Sequence, residues 1–400
     1  MSNWRKALLG DIFEIARGGS PRPIQDFLTD DLDGVNWISI ADASASSKYI
    51  HTTKRRIRKA GVDKSRMVKP GDFLLTNSMS FGRPYILKTS GCIHDGWLVL
   101  SSKADNVDQD YFFHLLGSDA IYSKFSRLAA GATVKNLNIE LVAGIEVEFP
   151  PIAKQRRIAA ILDQAETLRT QRRAALAQLD ELAQSIFLDM FGDPVTNDRY
   201  WPELCVGDFV AGFESGKSLV ADDEDDSSSV FRVLKVSAVT SLEYRPEQSK
   251  AVPLDYSPPK SHIVRVGDLL FSRANTTELI GATAFVDSTP YNLLLPDKLW
   301  RFKWHEPPRA EPLYVRHLFQ QPKFRREIGQ RASGTSGSMK NISHEKVLSI
   351  RAGHPPLSLQ ETFTARIRAI ESLKATHRAA LAELDALFAS LQHRAFAGSL

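Results

Sequence analysis

Cysteine is nearly absent: Cys92 and Cys205 are the only two in 400 residues, far apart and without metal-ligand or redox spacing. That excludes a disulfide framework and fits a reduced compartment. No apolar run approaches the roughly 18 residues that a membrane span requires. The opening MSNWRKALLGDIF lacks the extended apolar segment of a secretion signal. A soluble, cytoplasmic protein without membrane contact is expected. Charge of one sign is not in excess, with 51 Lys and Arg against 47 Asp and Glu. The ten histidines form no HExxH or other metal spacing, so no metal site is expected.

The chain is rich in repetition. ETLRTQRRAALAQLDEL (166–182) recurs as ESLKATHRAALAELDAL (371–387), with ten identities in seventeen positions at an offset of about 205 residues. Weaker echoes surround it. LLGDIFEI answers VGDFVAGF, KPGDFLLT answers RVGDLLFS, DGWLVL loosely answers DKLWRF, and YFFHLL answers YVRHLF. AAGATVKNLNIELV corresponds to ASGTSGSMKNISHEKV, and FPPIAKQRR to HPPLSLQET. Between these anchors the copies share little. Each unit is a variable globular part followed by a similar tail, and two copies suggest a pseudo-twofold molecule rather than a solenoid.

The globular parts alternate short apolar runs (VNWISI, DFLLT, GWLVL, IEVEF) with Gly, Pro, Asp and Ser, a pattern of short strands with a helix or two. The tails read as helices. Neither Pro nor Gly occurs between residues 155 and 191, or between 359 and 397. The apolar positions Ile158, Ile161, Ala165, Leu168, Ala175, Leu179, Leu182 and Ile186, and Phe363, Ile370, Leu373, Ala380, Leu384, Leu387 and Leu391, follow the three-four alternation of a coiled-coil seam. Arg366 falls where the first seam has Ile161, and Ile367 beside it substitutes by a small rotation. Arg172 and His377 occupy equivalent central seam positions; either they meet near the pseudo-twofold axis and set register, or both reach solvent. Each helix would be about 55 Å long. B-DNA advances about 34 Å per turn, so such a rod places two heads on one duplex.

Several motifs are decoys. AGFESGKS (211–218) has Ala211 where a phosphate-binding loop needs its first Gly, and its counterpart EIARGGSP lacks the Lys. None of FPPI, SPPK and HPPL has both the amide or carboxylate and the aromatic that amino-methyltransferase chemistry needs. The acidic ADDEDDSSS (221–229) is a poor DNA contact, and His114 and His317, at matched helical positions, are most simply structural.

The full arrangement resembles the specificity subunits of Type I restriction–modification systems. It rests on the GDIFE-type opening of each half, the PGDFLLT and VGDLLFS strands, the Gly-rich turn leading to KN before PP, and the PPIAKQRRIAAILDQAE…RRAALAQLDELAQSIF region with its repeat. The resemblance spans the whole chain. It implies an α+β fold: two pseudo-twofold-related α/β target recognition domains separated by two long antiparallel coiled-coil helices. The expected division is 1–150 and 196–354 for the recognition domains, and 151–195 and 355–400 for the spacer helices. It implies a non-catalytic subunit that reads double-stranded DNA, with one adenine of each half-site methylated at N6. Partners would be two modification (methyltransferase) subunits and restriction (endonuclease/translocase) subunits. S-adenosylmethionine, ATP and magnesium would belong to them and not to this chain. A coiled-coil scaffold with protein-binding ends, or a self-contained enzyme, are the competing classes.

DNA readers need donors on loops: Arg and Lys for guanine, Asn and Gln for adenine, others for phosphate. Candidates in the first half are Arg17, Arg22, Asn77, Ser78, Arg83, Lys135 and Asn136, with Arg55 and Arg56 from the basic run TTKRRIRKAGVDKSRMVK. In the second half they are Lys217, Arg273, Asn275, Thr276, Lys340 and Asn341. The recurring Lys-Asn pairs are assigned to backbone contact or fold maintenance. The divergent TNSMSFGRP and SRANTTELIG are assigned to base discrimination. A solvated basic face is the plain alternative for the run 54–69.

Overall fold

KPGDFLLT and RVGDLLFS each fold as a tight turn feeding a buried strand. Gly71 and Gly267 hold φ at 96° and 92°, a region that a Cβ disfavours. Asp72 Oδ2 accepts the Lys69 backbone N–H at 2.9 Å, and Asp268 Oδ2 accepts that of Arg265 at 2.8 Å. The strands that follow, Phe73–Thr76 and Leu269–Ser272, are buried at every position, which is why they read as continuous apolar runs. These details come from a computed structural model, which describes residues 4–77, 82–129, 137–219, 230–253, 256–336 and 339–400.

The chain forms two compact units, one of Met1–Arg173 with Ala379–Leu400, the other of Ala174–Arg378. In the first, Phe13–Arg17, Trp97–Ser102, Phe73–Thr76, Pro84–Leu87 and Tyr49–Ile50 form a five-stranded sheet in that order. A second five-stranded sheet runs Leu28–Thr29, Arg55–Ile57, Val35–Ile38, Gly91–Ile93, Arg66–Val68. The helix Gln109–Leu116 supplies Tyr111, Phe112, Leu115 and Leu116 to the core. The second unit repeats the plan with a four-stranded sheet: Val210–Ser215, Leu299–Trp304, Leu269–Ser272 and Thr283–Phe285. The helix Pro312–Gln320 stands where Gln109–Leu116 does. In both units an opening strand pairs with the strand before the tail, Arg5–Leu8 with Glu146–Phe149 and Glu203–Cys205 with Arg351–Gly353.

Two helices of 40 residues, Ile152–Phe191 and Leu357–Phe396, follow the Pro-Pro pairs. At 1.5 Å per residue each is about 60 Å long. A buried glutamine ties each to its globular part. Gln155 Oε1 accepts the Asp108 backbone N–H at 2.9 Å, and its Nε2 donates to the Pro150 carbonyl at 2.8 Å. Gln360 does the same with Glu311 and Pro355, both at 2.9 Å. Asp108 and Glu311 are the N-caps of the matched helices. This explains the Gln four residues past each Pro-Pro.

Within each unit the two helices run antiparallel and share one ion cluster. In the first, Arg169 bonds Glu166 of its own helix and reaches Asp385 of the other at 2.6 Å. In the second, Lys374 lies 3.3 Å from Glu371 and 2.6 Å from Asp180. Advancing each member of the first cluster by the repeat offset, or Asp385 back by it, gives its counterpart in the second. Arg169 lies 4.4 Å above the Phe388 ring, whereas the shorter Lys374 has Ala183 at the position equivalent to Phe388.

The apolar seam differs from the expected one. Ile158, Phe363 and Ile370 are buried, and Ile161, Leu179, Ile186, Leu384 and Leu391 are half-buried, as are Arg172 and His377. Leu168, Leu182, Leu373 and Leu387, however, are 43% to 54% exposed. Ala165 of the expected seam is buried too, but the rest of the buried stripe runs through Leu162, Ala183, Phe187 and Ile367. Each helix packs on a globular part as well as on its partner, which rotates the buried face away from a strict heptad. Ile367 and its counterpart Leu162 are both fully buried, so the pair carries the packing that Ile161 and Arg366 do not.

Candidate nucleic-acid interface

Each unit builds a polar hub on the turn that enters its central strand Trp97–Ser102 or Leu299–Trp304. In the first, the Asp95 carbonyl accepts Arg17 Nε at 3.0 Å and Asn77 Nδ2 at 2.8 Å. The Asp95 carboxylate accepts the Ser20 hydroxyl at 2.9 Å and pairs with Arg22 at 3.3 Å. Burial raises the Asp95 pKa, but the Ser20 hydrogen bond, the backbone, His94 and Arg22 together hold it below the usual carboxylate range. Gly18 lets the loop lie on the His94 carbonyl, which a Cβ would meet at 2.0 Å. Arg66 Nε donates to the Arg17 carbonyl at 3.4 Å, bringing part of the basic run to this loop.

The second unit repeats the hub with other side chains. Asp297 carbonyl accepts Arg273 Nε at 2.7 Å, and its carboxylate lies 3.5 Å from the same guanidinium. Asn77 and Arg273 are structural equivalents. The backbone N–H of Asn77 bonds the Gly96 carbonyl and that of Arg273 the Lys298 carbonyl, each at 3.1 Å. Their own carbonyls accept the N–H groups of Leu137 and Ile342. Gly216 bonds Pro296, so exposed Lys217 flanks the same turn.

The structure therefore brings Arg17, Arg22 and Asn77 together in one unit, and Lys217 and Arg273 in the other. It also pairs Ala274 with Asn341 and Asn275 with Lys340 across a small sheet, uniting Arg273, Asn275, Thr276, Lys340 and Asn341. Asn77 is a correction to the list of base readers. It is buried, and its amide is committed to the Asp95 carbonyl, so it is a strut for the turn. Asn275 also bonds locally, its Oδ1 accepting the Thr276 N–H at 2.9 Å. Exposed Arg83 lies over the Tyr85 ring. Arg55 and Arg56 sit apart from these contacts on the second sheet, where Arg56 donates to the Asp31 carbonyl at 3.4 Å. Ser78, Lys135, Asn136 and the acidic stretch 221–229 lie outside the described residues. Asp95 and Asp297, the centres of both hubs, were not among the candidates. The matched DGW and DKLW segments were the available signal.

The phosphate-loop decoy is a strand, Val210–Ser215, with no helix directly after it. Among the described residues no helix is long and apolar enough to cross a membrane.

The chain is thus a duplicated mixed fold whose two units carry matched polar turns with different side chains. Residues 1–178 match the family described as the Type I restriction modification DNA specificity domain. The EcoKI specificity subunit of Escherichia coli K12 is 23% identical over 361 residues, 85% of this chain and 77% of that protein. The S subunit structure from M. genitalium matches 99% of this chain and 96% of its own, with a TM-score of 0.57 and 13% identity. A chain from a structural study of complex assembly and conformational transition of the type I R-M system gives a TM-score of 0.56 at 16% identity, covering 100% and 98%. Residues 1–178 thus carry the Type I restriction modification DNA specificity domain, and most of the chain is similar to a Type I specificity subunit.

Proposed function

We propose that the chain reads an interrupted, asymmetric duplex sequence, one half-site per unit, and directs N6-adenine methylation and restriction by its partners. The observation that carries this is the pair of equivalent hubs furnished differently: Arg17, Ser20, Arg22 and Asn77 around Asp95, but Arg273 and Lys217 around Asp297. Equal backbone frames with unequal side chains suit two half-sites of unequal sequence. Identical heads would suit a palindrome.

The chain serves as the non-catalytic part, in the cytoplasm. Two modification subunits carry S-adenosylmethionine and the methylating residues, while restriction subunits carry ATP and magnesium. The exposed leucines support docking of two like partners. Each unit presents one from each helix, Leu168 with Leu387 and Leu182 with Leu373.

Methylation-sensitive sequencing of host DNA tests the proposal. An interrupted, asymmetric N6-methyladenine motif that disappears on deletion of this chain is expected. Unchanged methylation in a host with active modification subunits would refute it.

A further inference from the structure

Two units with dissimilar loops each keep an arginine on the aspartate of the same turn, and they deliver it from different chain positions. In the first unit it is Arg22, from the loop after the strand Phe13–Arg17, at 3.3 Å from Asp95. In the second it is Arg273, just after the strand Leu269–Ser272, at 3.5 Å from Asp297. The fold does not need these charge pairs to hold the turn. The Asp95 carbonyl already accepts Arg17 and Asn77, and Ser20 fixes the carboxylate. The Asp297 carbonyl already accepts Arg273 Nε. The Arg22 side chain is 82% exposed and that of Asp95 43%, so the pair adds little to the stability of the turn.

A carboxylate beside an arginine offers what a DNA phosphate offers: two anionic oxygens at hydrogen-bond distance. Resting on the DNA reading of these turns, we propose that Asp95 and Asp297 are specificity-determining positioning residues. Each holds the arginine of its turn on a carboxylate, so that the arginine does not capture any passing phosphate. Only a duplex that docks the whole turn replaces the carboxylate. The pairing therefore lowers binding to non-target DNA more than binding to the target.

The test uses the chain assembled with its modification subunits, and Asp95→Asn and Asp297→Asn, which keep size and an acceptor oxygen. Binding to a duplex lacking the target is followed across salt concentration. Each substitution should tighten that binding and steepen the slope of log K against log salt by about 0.9, the value of one added phosphate contact. The double variant Arg22→Gln/Asp95→Asn should return to the parent slope. In the methylome, Asp95→Asn should relax one half-site and Asp297→Asn the other. An unchanged slope in a normally melting Asp95→Asn protein would overturn the proposal, as would an equal steepening in the double variant. Loss of target and non-target binding alike would make Asp95 a folding residue and overturn it too. A parent complex with no salt-dependent duplex binding would instead refute the DNA reading itself.

Discussion

His114 and His317 hold matched places in the two units yet live in different electrostatic surroundings. His114 Nε2 is 2.7 Å from Asp163, which also pairs with Lys48. His317 is buried against Phe187 and Phe363, with Arg316 and Lys374 nearby. Burial, and then those two positive charges, push its pKa down to about 3. An unfolded histidine titrates near 6.5, so below that value the unfolded chain binds a proton that the folded chain refuses. Its contribution to stability is present above about 6.5 and is lost as pH falls towards 3. His317→Phe should therefore shrink the fall in urea midpoint between pH 7 and pH 4.5. An equal fall in parent and variant would show that His317 does not set the acid limit. The matched positions and the structural role were legible in the sequence; the neutral state was not, because it depends on aromatic residues from both long helices.

At the scale of the helices, charge as well as apolar packing defines the register. The Lys374 side chain is 4% exposed among Asp180, Glu371 and Glu243, so removing it leaves acids facing one another. Lys374→Met should cost about 2–4 kcal/mol, since breaking a buried pair strands its partners. Asp385 is 45% exposed beside Arg169, and Asp385→Asn should cost under about 1 kcal/mol. Denaturant melts of the intact chain compare the two, and similar small losses would mean that the second cluster is as well solvated as the first. The repeat made Glu166, Arg169, Asp180 and their counterparts visible as duplicated positions. It did not reveal that an acid from one copy meets a base from the other, because that crossing exists only once the helices run antiparallel. The heptad reading erred at Leu168, Leu182, Leu373 and Leu387 for a related reason. A helix that packs on two neighbours buries a wider and rotated stripe than a two-stranded seam.

For the whole molecule, the compact units do not follow chain order. The first takes the last 22 residues, Ala379–Leu400, and Tyr111 meets Phe396 at 5.8 Å between ring centroids. The second takes the end of the first long helix, where Phe187 and Phe191 meet Phe363. Replacing residues 1–150 with another recognition module should change one half-site only, provided the graft keeps partners for Asp163, Gln155 and Phe396. Sequencing of methylated host DNA gives the readout, and a change in both half-sites would show that the units do not read independently.

The duplication, the helical tails, the buried PGDFLLT and VGDLLFS strands and the family resemblance were all determined by the sequence, because they depend on local pattern: apolar period, turn glycines and a fixed offset. The partners across space were decided by tertiary structure. Asn77 looked like a base reader and became a buried strut, while Asp95 and Asp297, seen in the chain only as the starts of matched segments, became the centres of the hubs. A side chain's role depends on which donors and acceptors the fold brings within about 3 Å, and residues far apart in sequence meet at that distance only when the fold has formed.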